Sequence, residues 1–234
     1  MKIIILAAGL GSRMNQELPK CACLLNNKPM IKYLIETCNK LNPEEIILVV
    51  GYKKEKVIEV VGNDVTYIYQ QKQLGTANAV LCCYNHLSSY DGDLLIIPGD
   101  TPLVPFEILR DFITRYQNRN LTILTTKIEN PSGLGRIKRD KPNNVLKIIE
   151  EYELTEEEKK IKEVNTGIYL VNSKILFNNV KKIDNNNNKQ EYYLTDIVEI
   201  IKDNKDTYLV NFDYRLQGIN DFQTLKRIEG VLNS

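Results

Sequence analysis

Lys2-Ile3-Ile4-Ile5-Leu6-Ala7-Ala8-Gly9-Leu10-Gly11-Ser12-Arg13-Met14 opens the chain, and its reading decides the fold class. Lys2 to Ala8 is almost unbroken apolar sequence, the pattern of a strand covered on both faces. Glycines follow at once, where a sharp turn can bring backbone N–H groups against phosphate oxygens. Small Ala7 and Ala8 leave room for a flat base against the main chain. Arg13 adds a planar cation, and Lys20 follows seven residues later behind Pro19. The run is not a dinucleotide fingerprint, because Met14 stands where a third glycine belongs, and no Gly-Lys-Ser/Thr makes it a Walker loop. A signal peptide is a poorer reading, since the apolar stretch is short and runs into Gly9 and Arg13 without a polar cleavage region.

Outward from this strand, apolar runs alternate with helical patterns. Helices are expected at 29–41, 53–61, 75–87 and 105–116, and strands at 45–50, 65–69, 93–97 and 121–127. This rhythm implies an α/β fold, an open and largely parallel sheet with helices on both faces. The rhythm changes near residue 128. Paired strands at 135–139 and 145–151 flank a turn at Lys141-Pro142-Asn143-Asn144. A short charged helix is expected over 153–160, a strand over 164–171 and a loop at Asn185-Asn186-Asn187-Asn188. A helix at 193–202, a strand at 207–212 and a helix at 221–232 complete the reading. No linker or repeat interrupts it, so one domain is expected, with a nucleotide-binding half to about 127 and a second half to 234.

Composition narrows the function classes. The 234 residues carry 31 Lys plus Arg against 30 Asp plus Glu, a net charge of +1, which gives no electrostatic case for a nucleic acid or membrane surface as partner. No apolar run approaches the roughly 20 residues of a membrane helix, and a cytoplasmic protein is expected. Cys21, Cys23, Cys38, Cys82 and Cys83 read as reduced structural thiols, because Cys21-x-Cys23 is no zinc spacing and His86 is the only histidine. A single histidine also argues against a histidine-based triad. In sheets of this kind ligands bind beyond the carboxyl ends of the strands, so residues placed there are the candidates for chemistry.

The opening run with Pro19-Lys20 resembles the signature of sugar-phosphate nucleotidyltransferases. Five further segments occur in the family's order. They are Gln70-Gln-Lys-Gln-Leu-Gly-Thr-Ala77, Gly99-Asp-Thr-Pro-Leu103, Asn130-Pro-Ser-Gly-Leu-Gly-Arg-Ile137, Val164-Asn-Thr-Gly-Ile-Tyr169 and Gln190-Glu-Tyr-Tyr-Leu-Thr-Asp196. Together they are most similar to uridyltransferase domains of the N-acetylglucosamine-1-phosphate type. The resemblance implies a Rossmann-like nucleotidyltransferase fold, a mixed, mainly parallel sheet flanked by helices. It further implies a reaction joining UTP to N-acetylglucosamine 1-phosphate with release of pyrophosphate.

Carried over by position, the resemblance implies roles that suit each residue's chemistry. Leu6, Ala7, Ala8, Gly9 and Gly11 would line the nucleotide, and Arg13 and Lys20 would steady the phosphates. Gln70, Gln73, Gly75 and Thr76 would face the base, whose edge offers both donors and acceptors. Asp100 and Asn220 would hold Mg²⁺, a cation that prefers oxygen ligands. Gly99, Gly135, Glu150, Asn165, Tyr193 and Thr195 would surround the sugar. Glu150 has an equally charged neighbour in Glu151, and a one-residue shift exchanges their faces. Asn220 also reads as a helix N-cap. The chain departs from the family pattern at Pro98, where tyrosine is usual, at Leu10, and before Glu191, where Gln190 replaces the usual glycine. The alternatives are another pair, dTTP or CTP with a different phosphorylated sugar such as glucose 1-phosphate, or a non-catalytic nucleotide sensor on the same fold. No hexapeptide-repeat run follows Ser234, so an enzyme without the acetyl-transferring half is expected, as a monomer or small homo-oligomer.

Overall fold

The computed structural model describes residues 1–9, 18–116, 119–142 and 144–232. The chain begins with β1 (Lys2–Ala7). After a 3₁₀ turn at Lys20–Ala22 come the two-residue strands β2 (Leu24–Leu25) and β3 (Lys28–Pro29), then α1 (Met30–Asn39). Next are β4 (Glu45–Val50), α2 (Lys54–Val61), β5 (Thr66–Tyr69), α3 (Thr76–Cys82), α4 (Tyr84–Leu87), β6 (Asp93–Pro98), α5 (Phe106–Arg115) and β7 (Leu121–Lys127). The second half holds β8 (Arg136–Lys141), β9 (Asn144–Ile149), β10 (Glu163–Asn172), α6 (Ser173–Val180), α7 (Ile197–Ile200), β11 (Lys205–Val210) and α8 (Phe222–Leu232).

One sheet runs β11-β7-β10-β6-β1-β4-β5, with β8 and β9 attached through β10. β1 pairs in parallel with β4 and β6, and β4 with β5. β10 is antiparallel to both β6 and β7, while β11 is parallel to β7. The sheet is thus mixed and mainly parallel. β7 is not the direct neighbour of β6, because the ten-residue β10 lies between them.

The apolar strands are buried on both faces because successive side chains point to opposite sides. Ile4, Ile47, Leu94 and Ile96 pack with Ala77 and Val80 of α3, Leu176 and Phe177 of α6 and Val198 of α7. Ile3, Ile5, Leu48 and Leu95 face Leu34 of α1, Val57 of α2 and Phe112 of α5. A smaller cluster seats Leu225 and Ile228 of α8 on Leu25 and Met30. All five cysteines are outside disulfides, Cys82 the least buried. No helix among the described residues is long and apolar enough to cross a membrane.

Several expected elements differ. The helix over 75–87 is split at Cys83, whose N–H bonds back to the Val80 carbonyl and tightens the turn. The charged helix over 153–160 is replaced by two 3₁₀ turns, Glu151–Glu153 and Glu158–Lys160. The helix over 193–202 is a 3₁₀ turn at Leu194–Asp196 followed by α7, ended by the extended backbone of Ile201. The strand expected over 207–212 lies two residues earlier, where all six residues of β11 pair with β7. The β2–β3 ribbon and α6 are additions to the sequence reading.

Candidate active site

A cavity of about 540 Å³ opens beyond the carboxyl ends of β1 and β6. Its floor is main chain. Leu6, Ala7, Ala8 and Gly9 leave β1, while Pro98, Gly99 and Asp100 leave β6. The two exits lie close together, with the Gly99 N–H bonded to the Leu6 carbonyl at 2.8 Å. A Cβ on Gly99 would meet the Ala7 Cβ at 2.9 Å, so the absence of a side chain there lets the strands close.

The loop after β5 forms one wall. Gln70 is buried, and its Nε2 donates to the Gly75 carbonyl at 3.0 Å and to Asn78 Oδ1 at 2.9 Å. Gln73 Nε2 in turn donates to the Gln70 carbonyl at 3.0 Å. Gln70 therefore shapes the turn from within, and its amide hydrogens are engaged in the loop. Thr76 does not cap α3 with its side chain. Its hydroxyl accepts from the Leu194 N–H at 2.9 Å.

That bond is part of a contact between distant segments. The Tyr192 N–H donates to the Leu74 carbonyl at 2.8 Å, and the Ala77 N–H to the Tyr192 carbonyl at 2.9 Å. Gly75 adopts φ +110°, and a Cβ there would lie 2.5 Å from the Tyr192 oxygen. Only glycine suits both the conformation and the space.

Three further lining residues converge. Lys20 Nζ lies 2.5 Å from Asp100 Oδ2 and 2.6 Å from Asn220 Oδ1. The Asp100 carbonyl is held by the Ile219 N–H at 2.8 Å, and a Cβ on Gly218 would come 3.1 Å from the Asp100 carboxylate. Capping of α8 falls to Asp221, whose Oδ1 accepts the Thr224 N–H at 2.7 Å, and Asn220 turns to Lys20. A carboxylate and an amide oxygen directed at one cation suit Mg²⁺, which takes one or two protein oxygens and completes its shell with phosphates and water.

A further wall is built by the second half. Glu150 leaves β9 and accepts from Thr195 Oγ1 at 2.8 Å. Burial pushes its carboxyl up from the ordinary value, against the lowering effect of Thr195. Glu151 instead pairs with buried Arg136 at 2.9 Å, which settles which of the adjacent acids faces the cavity. Asn165 on β10 donates through Nδ2 to the Tyr169 hydroxyl at 2.7 Å and accepts the Gly167 N–H at 2.9 Å. The register shift in β10 between Asn165 and Tyr169 brings both residues to the cavity wall. The asparagine run is braced by its own side chains. Asn187 Oδ1 accepts the Lys189 and Glu191 N–H groups, each at 3.2 Å, and places Glu191 on the cavity. Burial, then Glu191 and Glu150, push the Tyr193 hydroxyl up to about 12. Burial with Glu153, Glu150, Asp184 and Glu199 pushes Asp196 up to about 6.

The cavity thus gathers the candidates at Leu6 to Gly9, Lys20, Gln70, Gln73, Gly75, Thr76, Gly99, Asp100, Glu150, Asn165, Thr195 and Asn220. Gly11 and Arg13 lie outside the described residues. Gly135 and Tyr193 are not on the cavity wall. Gly135 sits behind it, its carbonyl accepting the Asn165 N–H at 2.9 Å and its Cα facing Ile148. Cys21, Ala79, Gly167, Tyr169, Glu191 and Leu194 also line the cavity and were not singled out from sequence. Of these, Gly167, Tyr169, Glu191 and Leu194 fall inside the quoted motifs, so the signal was present. Cys21 and Ala79 follow or precede motif residues without chemistry of their own.

The sequence matches the nucleotidyl transferase family over residues 2–215. It is 42% identical over 235 residues to the bifunctional protein GlmU of Acholeplasma laidlawii and 43% over 231 residues to that of Thermosipho melanesiensis. Each alignment takes in 98% of this chain but only 51% and 50% of those proteins, so the chain spans about half their length. Among solved structures, a UDP-glucose pyrophosphorylase complexed with UDP-glucose superposes with TM-score 0.78 at 16% identity, covering 99% of this chain and 98% of that one. A Bacillus anthracis chain assigned as a glucose-1-phosphate thymidylyltransferase superposes with TM-score 0.75 at 20% identity, covering 98% and 94%. These likenesses match the fold.

Proposed function

Since the chain belongs to the nucleotidyl transferase family, we propose that it transfers UMP from UTP to N-acetylglucosamine 1-phosphate, with Mg²⁺, releasing pyrophosphate. The observation that carries this reading is one cavity with three chemically distinct parts. They are a main-chain floor beside an amide-braced loop, a cation–carboxylate–amide cluster, and a set of carboxylate-, hydroxyl- and amide-bearing groups. The order of the motifs along the chain and the relatives at 42% and 43% identity support the uridyl and amino-sugar pair.

Under this reading, Ala7 and Ala8 seat the base edge-on to the loop of Gln70 to Thr76. Lys20 neutralises phosphate charge. Glu150, Thr195 and Asn165 orient the sugar by accepting from and donating to its hydroxyl and acetamide groups. An anionic oxygen of the sugar phosphate attacks the α-phosphorus, the bond from that phosphorus to the bridging oxygen breaks, and pyrophosphate leaves. The attacking oxygen is already ionised, so no side chain must remove a proton, and positioning with charge neutralisation is the protein's task. Asp100 and Asn220 would hold Mg²⁺, which when bound supplies charge stabilisation to the phosphates.

The test is a panel of nucleoside triphosphates against sugar 1-phosphates with Mg²⁺, read by pyrophosphate release. UTP with N-acetylglucosamine 1-phosphate should lead in kcat/KM. A panel led by dTTP, CTP or glucose 1-phosphate would move the assignment to that pair, and Pro98 on the cavity wall beside Gly167 is the first position to examine. No release with any pair would leave a nucleotide-binding module.

A further inference from the structure

The two oxygens suited to a divalent ion both accept from a cation of the protein's own. Lys20 Nζ is bonded to both Asp100 Oδ2, at 2.5 Å, and Asn220 Oδ1, at 2.6 Å. We propose that Lys20 is a resident competitor for the metal position. It keeps the ion out of the substrate-free protein and yields the position only when triphosphate oxygens take up its ammonium. The inference rests on the proposed function for the identity of the ion-holding pair and goes beyond it in describing the protein before substrate binds.

The geometry makes the two occupants competitors. A magnesium ion sits about 2.0–2.1 Å from its oxygen ligands. Taken up by Asp100 and Asn220, it would draw on the same two oxygens that accept from the ammonium. The two cations would compete for those oxygens and repel each other at that range. Charge leads to the same result. Lys20 and Asp100 cancel, so the substrate-free position offers a dication little net attraction.

The fold holds this arrangement from three sides. Lys20 opens a 3₁₀ turn closed by the Ala22 N–H on the Pro19 carbonyl at 2.8 Å, with Cys21 and Ala22 buried beneath it. Asp100 is tethered through its own carbonyl by Ile219, and Asn220 Nδ2 donates to the Gly218 carbonyl at 3.3 Å. The Lys20 and Asp100 side chains are only 16% and 27% exposed, so water screens the pair incompletely. Lysine is suited to yielding, since its charge is a point on a flexible stem and can move to a more highly charged partner without a planar fork to realign. The cavity supplies that route, because Lys20 lines the same space as the Ala7 to Gly9 floor.

The experiment uses the full chain without nucleotide and Mn²⁺ as the probe, with free Mn²⁺ counted by electron paramagnetic resonance. Lys20→Met and Lys20→Gln should bind Mn²⁺ on the order of tenfold more tightly than wild type, and Lys20→Arg, which keeps the charge, should not. Adding Asp100→Asn to Lys20→Gln should abolish the gain. In a second arm, UTP binding is measured by calorimetry in EDTA. It should weaken in the Met and Gln variants and persist in the Arg variant. The proposal fails if neither neutral variant binds Mn²⁺ more tightly than wild type, if the gain survives loss of Asp100, or if metal-free UTP binding is indifferent to the Lys20 charge. The Mn²⁺ arm contains no substrate. Its failure is therefore distinct from failure of the uridyl reading, which shows only in the pyrophosphate-release panel.

Discussion

Asp196 is held uncomfortably in the folded chain. Burial and the acids Glu153, Glu150, Asp184 and Glu199 raise its pKa from an ordinary 3.8 to about 6. The folded state therefore binds this proton more tightly than the unfolded state, and stability falls as pH rises between those two values. Asp196→Asn should be more stable than wild type near neutral pH by about 1–2 kcal/mol. The gain should disappear below pH 3.8, where the carboxyl is protonated in both states. Urea titrations at both pH values check this, and a pH-independent difference would contradict it. Gln190 carries a different burden, a left-handed φ of +55°, the region that favours glycine. Gln190→Gly should raise stability by about 0.5–1 kcal/mol, the steric relief exceeding the glycine's entropic cost. At this scale the sequence named chemistry better than direction. Glu150 and Glu151 are equivalent as letters, and the exit geometry of β9 alone sends one to Thr195 and the other to Arg136. Asn220 reads as a cap, yet the Thr224 N–H selects Asp221. The Lys20–Asp100 contact joins residues 80 apart, and no spacing rule reaches that far.

Among elements, α6 best shows what pattern reading misses and why. Ser173 to Val180 makes barely two turns, too short for a 3.6-residue period to stand out, and Asn178 and Asn179 are weak helix formers. Its start depends on Asn172, whose side-chain oxygen accepts the Lys174 N–H at 3.0 Å and the Ile175 N–H at 3.3 Å. Asn172→Ala should cost about 1 kcal/mol by thermal denaturation, the typical loss of such a cap. A neutral result would mean the packing of Leu176 and Phe177 alone sets this helix. β1, β4 and β6 were legible because each is an apolar run long enough to be covered on both faces. Strand direction was not, since the apolar pattern of β10 is the same whether it runs with or against β6 and β7.

For the molecule as a whole, the insertion of β10 means that the two halves suggested by the sequence do not correspond to separable layers of the sheet. Residues 1–127 contain β6 and β7 but not the strand that joins them. Expressed alone, that fragment would expose an unpaired β6 edge and leave β7 unattached, a liability for edge-to-edge association. It should run as aggregate on size exclusion and show no cooperative urea transition, whereas a monomeric, cooperatively unfolding fragment would contradict this account. A related interdependence governs two walls of the cavity. Leu74, Thr76 and Ala77 are bonded to Tyr192 and Leu194, so the walls proposed for base and sugar share one seam. On the proposed function, specificity is consequently not modular. An exchange at Gly75 made to retune the base will register in the KM for the sugar phosphate. Libraries built to redirect either substrate gain most by randomising 73–77 and 191–195 together.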